Sequence, residues 1–415
     1  MVIMNILKEK VLETSKIISK YGFNESCGMT RLLYSKEWIG AQNRLLRMFE
    51  ESGLESYSDD IGNIYGRILG SKYPDQIIMS GSHIDTVVNG GNLDGQFGIE
   101  AAYLAMQYLY EQHGQPLRTL EVVSLAEEEG SRFPYVYWGS KNVVGLAKKQ
   151  DVEFLVDNDG VNFVEAMHSC GFDFNQSKGK QKDIRAFVEL HIEQGKVLET
   201  ENKQLGIVTS IVGQRRYSVT LTGESNHAGT TPMGYRKDTV YAFSKFCSQS
   251  IDKANVEGDP LVLTFGKVIP SPNTVNVVPG ELTFSIDCRH TCKEALTIFT
   301  DQIIADLRLI CDELEIECSV DLWMDEDPIP MDLGLVELIE KQLKHNNANY
   351  KIMHSGAGHD AQIFAPVVPT AMLFVPSISG ISHNPKEHTH LADRVVGVKA
   401  LADILYELAY KELGD

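Results

Sequence analysis

Five side chains able to bind metal ions are spread along the chain, each within a short polar motif. They are His83, Asp94, Glu129, His191 and His383. Imidazole and carboxylate ligands together suit divalent zinc, manganese, cobalt or nickel. When one carboxylate is shared, such a set can hold two cations about 3.5–4 Å apart, which can bind a hydroxide and polarise a carbonyl group. The pattern therefore indicates hydrolysis by activated water.

Asp94 is the best candidate for the shared carboxylate. It lies in a glycine-rich loop, residues 89–95, whose backbone can bend so that one carboxylate faces two cations. We expect two cation sites that share Asp94, one completed by His83 with His191 and the other by Glu129 with His383. The pairing of ligands with each cation could also be the reverse.

Glu128 stands directly before a ligand, where a general base is needed. Neighbours in an extended segment point to opposite sides, so Glu128 and Glu129 cannot share one role. One can bind a cation while the other takes a proton from water and returns it to the leaving nitrogen. Without the other ligands, three consecutive glutamates would indicate only a solvated acidic turn. Asp85, two residues past His83 on the same face of an extended segment, is expected to orient that imidazole.

Each of these groups follows a short apolar run that is typical of a buried strand. The runs are residues 77–82 before His83, 120–126 before the glutamates, 187–190 before His191, and 371–375 before the loop with His383. In open α/β sheets, ligands bind at the edge formed by the carboxyl ends of the strands. We therefore predict an α/β domain that gathers the ligands at one sheet edge.

A different pattern runs from residue 212 to residue 327. Its elements are a strand at 216–222, a helix at 238–251, strands at 261–265 and 282–286, an amphipathic helix at 296–314 and a strand at 319–323. The order β-α-β-β-α-β is that of a ferredoxin-like module. Because four ligands precede it and one follows, we predict a discontinuous catalytic domain, residues 1–211 and 328–415, with an inserted α+β lid domain at 212–327.

Composition and charge exclude several classes of function. The chain has 415 residues, 43% hydrophobic and 23% charged, as expected for a soluble globular protein of two domains. Its net charge of −19 argues against nucleic acid or an anionic membrane surface as the main partner. We also expect no membrane span and no signal peptide. The seven cysteines are odd in number and lack disulfide spacing, so we expect reduced thiols in a cytoplasmic protein.

Over essentially its whole length the chain resembles the M20-type amidohydrolases that cleave N-carbamoyl (ureido) groups. The likeness rests on the motifs at residues 81–86, 91–95, 128–133, 191–195 and 358–361. The stretches at 29–35, 87–91 and 225–234 resemble the branch of the family that acts on allantoate.

This resemblance implies a fold, a reaction and partners. The fold would be a zinc-peptidase-like catalytic domain with a mixed sheet and flanking helices, and the inserted domain would build a homodimer. Each subunit would hold two divalent cations, manganese in preference to zinc. The substrate would be a small anionic ureido compound, allantoate, hydrolysed to ureidoglycine, ammonia and carbon dioxide in purine nitrogen catabolism.

Further residue roles also follow from the resemblance alone. Arg289 matches the arginine that clamps the substrate carboxylate, for which a bidentate guanidinium is suited. His227 and Asn276 match lid residues that approach the substrate, in relatives from the partner subunit, and steady the developing oxyanion. Gln194 matches a polar contact near the ureido group, and His359 lies in a motif that lines the same cleft.

Alternatives remain within and outside this class. Histidine at position 191 favours the ureido-cleaving group, since peptidase-like relatives often carry a carboxylate there. The same metals and carboxylate clamp would serve an N-carbamoyl-L-amino acid hydrolase or a β-ureidopropionase, and only the pocket volume around the second ureido arm separates these substrates. A catalytically silent M20-fold binding protein would be expected to lack ligands, whereas all five and the base are present here.

Overall fold

The computed structural model describes residues 2–174 and 183–412. The chain forms two compact units. Unit 1 is the chain up to Thr209 and from Met331 onward, and unit 2 is Ser210–Pro330. Each unit has its own buried apolar core. The predicted insertion, residues 212–327, lies inside unit 2.

The helices and strands are numbered in chain order. The helices are α1 (Val2–Ile18), α2 (Lys36–Glu51), α3 (Gln96–His113), α4 (Trp138–Val143), α5 (Phe163–Ser169), α6 (Val197–Thr200), α7 (Thr239–Glu257), α8 (Lys293–Glu313), α9 (Leu333–His345), α10 (Ala361–Phe364) and α11 (Leu391–Ala409). The strands are β1 (Phe23–Asn24), β2 (Gly28–Met29), β3 (Glu55–Ser58), β4 (Ile64–Ile68), β5 (Tyr73–His83), β6 (Arg118–Leu125), β7 (Ile184–Ile192), β8 (Leu205–Ile211), β9 (Gly213–Thr222), β10 (Asn226–His227), β11 (Val262–Thr264), β12 (Val268–Ser271), β13 (Val277–Val278), β14 (Glu281–His290), β15 (Glu317–Glu326), β16 (Ile329–Pro330), β17 (Tyr350–Ser355) and β18 (Thr370–Val375). Short 3-10 turns lie at Lys149–Asp151, Met233–Tyr235 and Ile378–Gly380.

Unit 1 is built on a mixed sheet with the strand order β8-β18-β7-β5-β6-β4-β3, and β17 also pairs with β8. The central strands β18, β7, β5 and β6 are parallel, while β8, β4 and β3 pair antiparallel. Helix α3 packs on β5, β6 and β7, and α11 packs on α3 and β18. Every residue of β6 and β18 is buried. Strand β18 is a nearly continuous apolar run, as is common for strands covered on both faces, whereas β6 also buries Arg118, Thr119, Glu121 and Ser124. The predicted α/β class with a mixed sheet and flanking helices is confirmed.

Helix α2 links the core of unit 1 to the loop that carries the glutamates. Ser35 caps the helix, its hydroxyl oxygen accepting the backbone N–H of Trp38 at 3.1 Å. Trp38, Leu45 and Phe49 lie on its buried face at helical spacing. The indole N–H of Trp38 donates to the carbonyl of Ala126 at 2.8 Å. The backbone just before the glutamates is thereby fixed to a core helix.

Unit 2 has an antiparallel sheet in the order β11-β14-β9-β15. Strand β12 also pairs with β14, at residues 281–284, whereas β11 pairs with residues 287–289 of the same strand. Helices α7 and α8 pack together, and both contact the sheet. Phe246, Phe284 and Leu307 lie in the core. The element order agrees with the predicted β-α-β-β-α-β series, with β12 as an additional strand after β11. A separate two-stranded ladder joins β10 to β13.

The chain enters and leaves unit 2 at neighbouring positions. On the unit 1 side, the backbone N–H of Met331 donates to the carbonyl of Thr209 at 3.0 Å. On the unit 2 side, Ile329 pairs antiparallel with Ile211. In the part of the chain that the structure describes, no helix combines the length and apolar character needed to cross a membrane.

Candidate metal centre

The parallel strands of unit 1 bring the predicted ligands to one edge of the sheet. Strand β5 ends at His83, and Leu125, the last residue of β6, lies opposite it. His191 is the penultimate residue of β7 and lies opposite Phe374 of β18. The acidic run follows directly after β6, and His383 lies in the connection after β18. The sheet register therefore places side chains from four separate parts of the chain together.

Asp94 lies among the three histidines. Its Oδ1 atom is 3.1 Å from Nε2 of His191 and 3.7 Å from Nε2 of His83. Its Oδ2 atom is 3.1 Å from Nε2 of His383, and that nitrogen is 3.3 Å from Oε1 of Glu129. Two groups of potential ligands contain Asp94, one with His83 and His191 and the other with Glu129 and His383. A further group joins His83 to Glu128 and Glu129, and within each group the ligand atoms lie within 4.8 Å of one another.

The two buried histidines are oriented by backbone carbonyl groups. Nδ1 of His83 lies 3.1 Å from the carbonyl oxygen of Asp85, and Nδ1 of His191 lies 2.8 Å from that of Ile192. Because a carbonyl oxygen only accepts, the proton of each neutral imidazole belongs on Nδ1. The Nε2 lone pair then faces Asp94, as ligation of a cation requires.

Asp85 connects the predicted ligand His83 to the acidic loop. Its Oδ1 atom is 3.4 Å from Nδ1 of His83, farther than its own carbonyl oxygen. Its two carboxylate oxygens accept the backbone N–H of Glu128 at 3.1 and 3.2 Å, and Oδ2 accepts that of Glu129 at 3.1 Å. Asp85 thus fixes the turn from which the predicted base and one predicted ligand project.

The electrostatics of the cluster favour bound cations. Burial raises the pKa of Glu128 well above its ordinary value, with the charge of Glu129 adding to the shift and that of His83 opposing it. Burial also raises the pKa of Glu127 and Glu129. For Asp94 burial acts in the same direction, but the surrounding histidines His191, His383 and His83 outweigh it and hold the pKa well below its ordinary value. Such a density of buried carboxylates is unfavourable unless positive charge neutralises it. The donor atoms and their spacing fit a pair of divalent cations.

Gln194 and His359 are both in direct contact with the cluster. The Nε2 atom of Gln194 donates to Oδ2 of Asp94 at 2.9 Å, from a backbone with φ of 56°. His359 is buried, with Nε2 2.9 Å from the hydroxyl of Ser355 and its ring centroid 4.5 Å from that of His191. The structure therefore places Gln194 on the carboxylate of Asp94 and the ring of His359 against the ring of the predicted ligand His191.

Within unit 2, His227 and Asn276 lie side by side. His227 pairs with Val277 in the β10–β13 ladder, and the N–H of Ala228 donates to the carbonyl of Asn276 at 3.0 Å. The N–H of Gly229 donates to Nδ1 of His227 at 3.0 Å. Nδ1 is thus an acceptor, and the proton of a neutral imidazole lies on Nε2. His227 is exposed and offers an N–H donor at its outer edge.

Arg289, also in unit 2, lies on β14 with its side chain partly buried. Its guanidinium donates to the carboxylate of Asp287, a neighbour on the same strand. Arg216, from the adjacent strand β9, donates to the same carboxylate at 2.9 Å. The predicted clamp residue is therefore part of a charged network within unit 2.

Two further residues of the site have no clear signal in the sequence. Glu387 accepts the backbone N–H groups of Leu93 and Asp94, although it lies near the other end of the chain. Glu189 accepts the hydroxyl of Ser82 at 2.7 Å, and with His191 and His359 it forms another cluster of potential ligands. The sequence indicates a role for Glu189 only in that it is an acidic residue within the otherwise apolar run at 187–190.

Comparisons with known proteins agree on the family. The model of peptidase family M20/M25/M40 matches residues 79–407. Allantoate amidohydrolase of Escherichia coli (strain K12) is 59% identical over 406 residues, 98% of this chain and 99% of the relative. Allantoate amidohydrolase of Bacillus subtilis (strain 168) is 46% identical over 97% of this chain and 98% of the relative. Among solved structures, an amidase of the hydantoinase/carbamoylase family from Burkholderia multivorans matches with a TM-score of 0.92 and 28% identity, covering 98% of both chains.

Proposed function

The chain belongs to peptidase family M20/M25/M40, and we propose that it is a metal-dependent amidohydrolase that hydrolyses allantoate. The substrate is the one named for the relatives that are 59% and 46% identical, whereas the hydantoinase/carbamoylase structure is 28% identical. The observation that carries the chemistry is Asp94, whose two carboxylate oxygens face different groups of ligands.

The metal-binding residues would divide into two sets that share Asp94. His83 and His191 would complete one set, and Glu129 and His383 the other. We propose Mn²⁺, with Zn²⁺ as the alternative, because both accept mixed imidazole and carboxylate ligands. When bound, the cations polarise the ureido carbonyl and make water more acidic.

Glu128 would move the proton in this reaction. As water adds to the carbonyl carbon of one ureido group, the Glu128 carboxylate takes a proton from it. The bond from that carbon to the terminal nitrogen then breaks, and Glu128 returns the proton to the nitrogen, which leaves as ammonia. The carbamic acid that remains loses carbon dioxide as its acidic proton moves to the nitrogen, and this yields ureidoglycine. The overall balance is allantoate plus water to ureidoglycine, ammonia and carbon dioxide.

The residues of unit 2 would bind and stabilise the substrate. Arg289 would hold its carboxylate, and the Nε2–H of His227 would donate to the oxyanion beside Asn276. We propose that unit 2 acts as a lid and forms a homodimer, so that His227 and Asn276 reach the partner's substrate. Three large apolar side chains close to these residues in the sequence are strongly exposed, Met233 at 77%, Tyr235 at 80% and Val275 at 104%. Their exposure supports an interface at this end of unit 2.

We further propose a cytoplasmic enzyme of purine nitrogen catabolism. The cysteines support this location, because seven is an odd number and all are free thiols. Gln194, which donates to Asp94, would hold that carboxylate or the ureido group in place. His359 would hold the imidazole of His191 in place through the contact between the two rings.

Ammonia release by metal-depleted protein tests the proposal. Allantoate, N-carbamoyl-L-amino acids and N-carbamoyl-β-alanine would be compared with Mn²⁺, with Zn²⁺ and without added metal. Metal-dependent release from allantoate alone is the expected result. Release only from carbamoyl amino acids would support the proposed hydrolysis and show that allantoate is not the substrate. No release from any of them, despite bound metal, would favour a catalytically silent binding protein.

A further inference from the structure

Glu387 joins the loop that carries Asp94 to the loop that carries His383. Its Oε1 atom accepts the backbone N–H of Leu93 at 2.9 Å and that of Asp94 at 3.1 Å. Its Oε2 atom accepts the hydroxyl of Ser382 at 2.9 Å. The side chain is only 6% exposed. One buried carboxylate thus receives three hydrogen bonds from residues at or next to two predicted ligands.

The backbone around Gly91 is shaped to receive this carboxylate. A Cβ atom added to Gly91 would lie 2.1 Å from Oε1 of Glu387 and 2.3 Å from its Cδ. The metal-binding loop therefore packs directly against the carboxylate, at a distance that only glycine allows. The His383 loop also turns at this point, since the N–H of Glu387 donates to the carbonyl of Asn384 at 3.0 Å. The contact between Glu387 and Gly91 therefore depends on the backbone of both the Asp94 loop and the His383 loop.

Ser382 lies between the two carboxylates. Its hydroxyl oxygen is 2.9 Å from Oε2 of Glu387 and 3.2 Å from Oδ2 of Asp94. A hydroxyl has one proton, and the shorter contact assigns it to Glu387. Oδ2 of Asp94 then accepts from Gln194 at 2.9 Å and keeps a second lone pair for His383 or a cation. Glu387 therefore accepts a hydrogen bond from the backbone N–H of Asp94 and another from the hydroxyl that lies next to the Asp94 carboxylate.

We propose that Glu387 is a positioning residue that aims the Asp94 carboxylate at both groups of ligands and holds the His383 loop beside it. This inference rests on the cation site of the proposed function. Glu387 acts through Asp94 and Ser382, because both of its oxygens are engaged by N–H and O–H donors. Residues that hold metal ligands in this way contribute about 10- to 100-fold to metal affinity.

Calorimetric titration of Mn²⁺ into metal-depleted protein tests this role. The variants are Glu387→Ala and Glu387→Gln, at a temperature where circular dichroism shows each to be folded. We expect Glu387→Ala to weaken Mn²⁺ binding about 10- to 100-fold. Glu387→Gln should recover most of this affinity, because an amide oxygen can accept both backbone N–H groups and the amide nitrogen can donate to Ser382. If Glu387→Ala does not fold, it is replaced by Glu387→Asp, which keeps the charge but is one methylene shorter, and a loss of Mn²⁺ affinity is again expected.

Glu199→Ala is the matched control. The Glu199 carboxylate accepts the N–H of Ser379 at 2.7 Å, in the same connection after β18. This variant should bind Mn²⁺ as the wild type does. If wild-type protein bound no Mn²⁺, the metal site itself would be refuted and the role of Glu387 with it. If wild-type protein bound Mn²⁺ and Glu387→Ala bound it equally well, only the role of Glu387 would be overturned. Equal losses in the Ala, Gln and Glu199 variants would also overturn it.

Discussion

Arg289 is held by the carboxylate of Asp287, two residues before it on strand β14. Nε donates to Oδ1 at 2.9 Å, and Nη2 donates to Oδ2 at 3.0 Å. Residues two apart on a strand point to the same face, which makes the contact possible. Despite burial, the two arginines Arg289 and Arg216 hold the pKa of Asp287 below its ordinary value, so it remains an anion. Asp287 therefore fixes the plane of the guanidinium proposed to bind the substrate carboxylate.

Replacement of Arg289 by lysine should mainly weaken substrate binding. Lysine keeps the positive charge but cannot make two parallel hydrogen bonds to a carboxylate. We expect kcat/KM for allantoate to fall about 10- to 100-fold, chiefly through a higher KM, as for loss of a charge-assisted hydrogen bond. Arg216→Lys is the control, since it alters the same Asp287 network without the proposed clamp. Equal effects of the two substitutions would assign Arg289 to the network alone.

Replacement of Glu128 by glutamine should remove proton transfer and leave the metal site intact. A positioned general base contributes about 10²–10⁴-fold, so kcat should fall by that factor while the metal content measured by mass spectrometry stays the same. Glu127→Gln is the neighbouring control, and its effect should stay below about tenfold, because its Oε1 contact is with the N–H of Gly130. Near-native turnover of Glu128→Gln with metal bound would contradict the mechanism.

Cation stoichiometry should distinguish a shared ligand from an unshared one. Asp94→Ala removes a ligand from both groups, whereas His383→Ala removes one from a single group. We expect the first variant to lose both cations and the second to retain the cation of the His83 group, as counted by equilibrium dialysis against Mn²⁺. His388→Ala, an exposed histidine in the same connection, should retain the full content. Loss of only one cation from Asp94→Ala would show that the ligand is not shared.

The buried Glu121 should make stability depend on pH. Burial raises its pKa from an ordinary value of 4.5 to about 7, although the hydroxyl of Tyr57 donates to its Oε2 at 2.9 Å. Between these two values the folded chain keeps a proton that the unfolded chain releases. The stability that this proton contributes is therefore complete below pH 4.5 and is lost as the pH rises through about 7.

Glu121→Gln should cancel this dependence. At pH 8 the variant should be more stable than the wild type by about 1–3 kcal/mol, and the difference should shrink toward pH 4.5. Urea unfolding of metal-depleted protein at several pH values measures it. Glu55→Gln is the control on the edge strand β3, which β4 separates from β6. Its exposed carboxylate is paired with Arg67 at 2.7 Å, and the gain is not expected there. A constant difference between wild type and Glu121→Gln across the pH range would contradict the prediction.

The parts of the fold that could be predicted have a regular burial pattern. The central parallel strand β18 is apolar at every position after Thr370, as expected for a strand that is buried on both faces. In unit 2, strand β9 buries alternate residues, among them Tyr217, Val219 and Leu221, so its alternation indicates one exposed face. The edge on which the predicted ligands meet follows from the parallel direction of the strands.

Elements and contacts without such a pattern could not be predicted. Strand β4 is buried, but Gly66 and Arg67 interrupt its apolar run. Gly66 is required there because a Cβ atom would lie 2.7 Å from the ring of Phe49, a partner on helix α2. The contact of Glu387 with Asp94 joins residues 293 positions apart. A contact between residues so far apart leaves no periodic pattern in the sequence. The proposed roles of Asp94 and Glu387 remain predictions.

The paired entry and exit of unit 2 have a consequence for how this enzyme can diversify. Thr209 and Met331 are hydrogen-bonded neighbours, so for unit 1 the whole of unit 2 is equivalent to the loop of a β-hairpin. All five candidate ligands and Glu128 lie outside that loop, and Arg289, His227 and Asn276 lie inside it. Replacement of residues 210–330 would therefore exchange the three proposed substrate-binding residues as one segment and leave the proposed metal ligands and base in place.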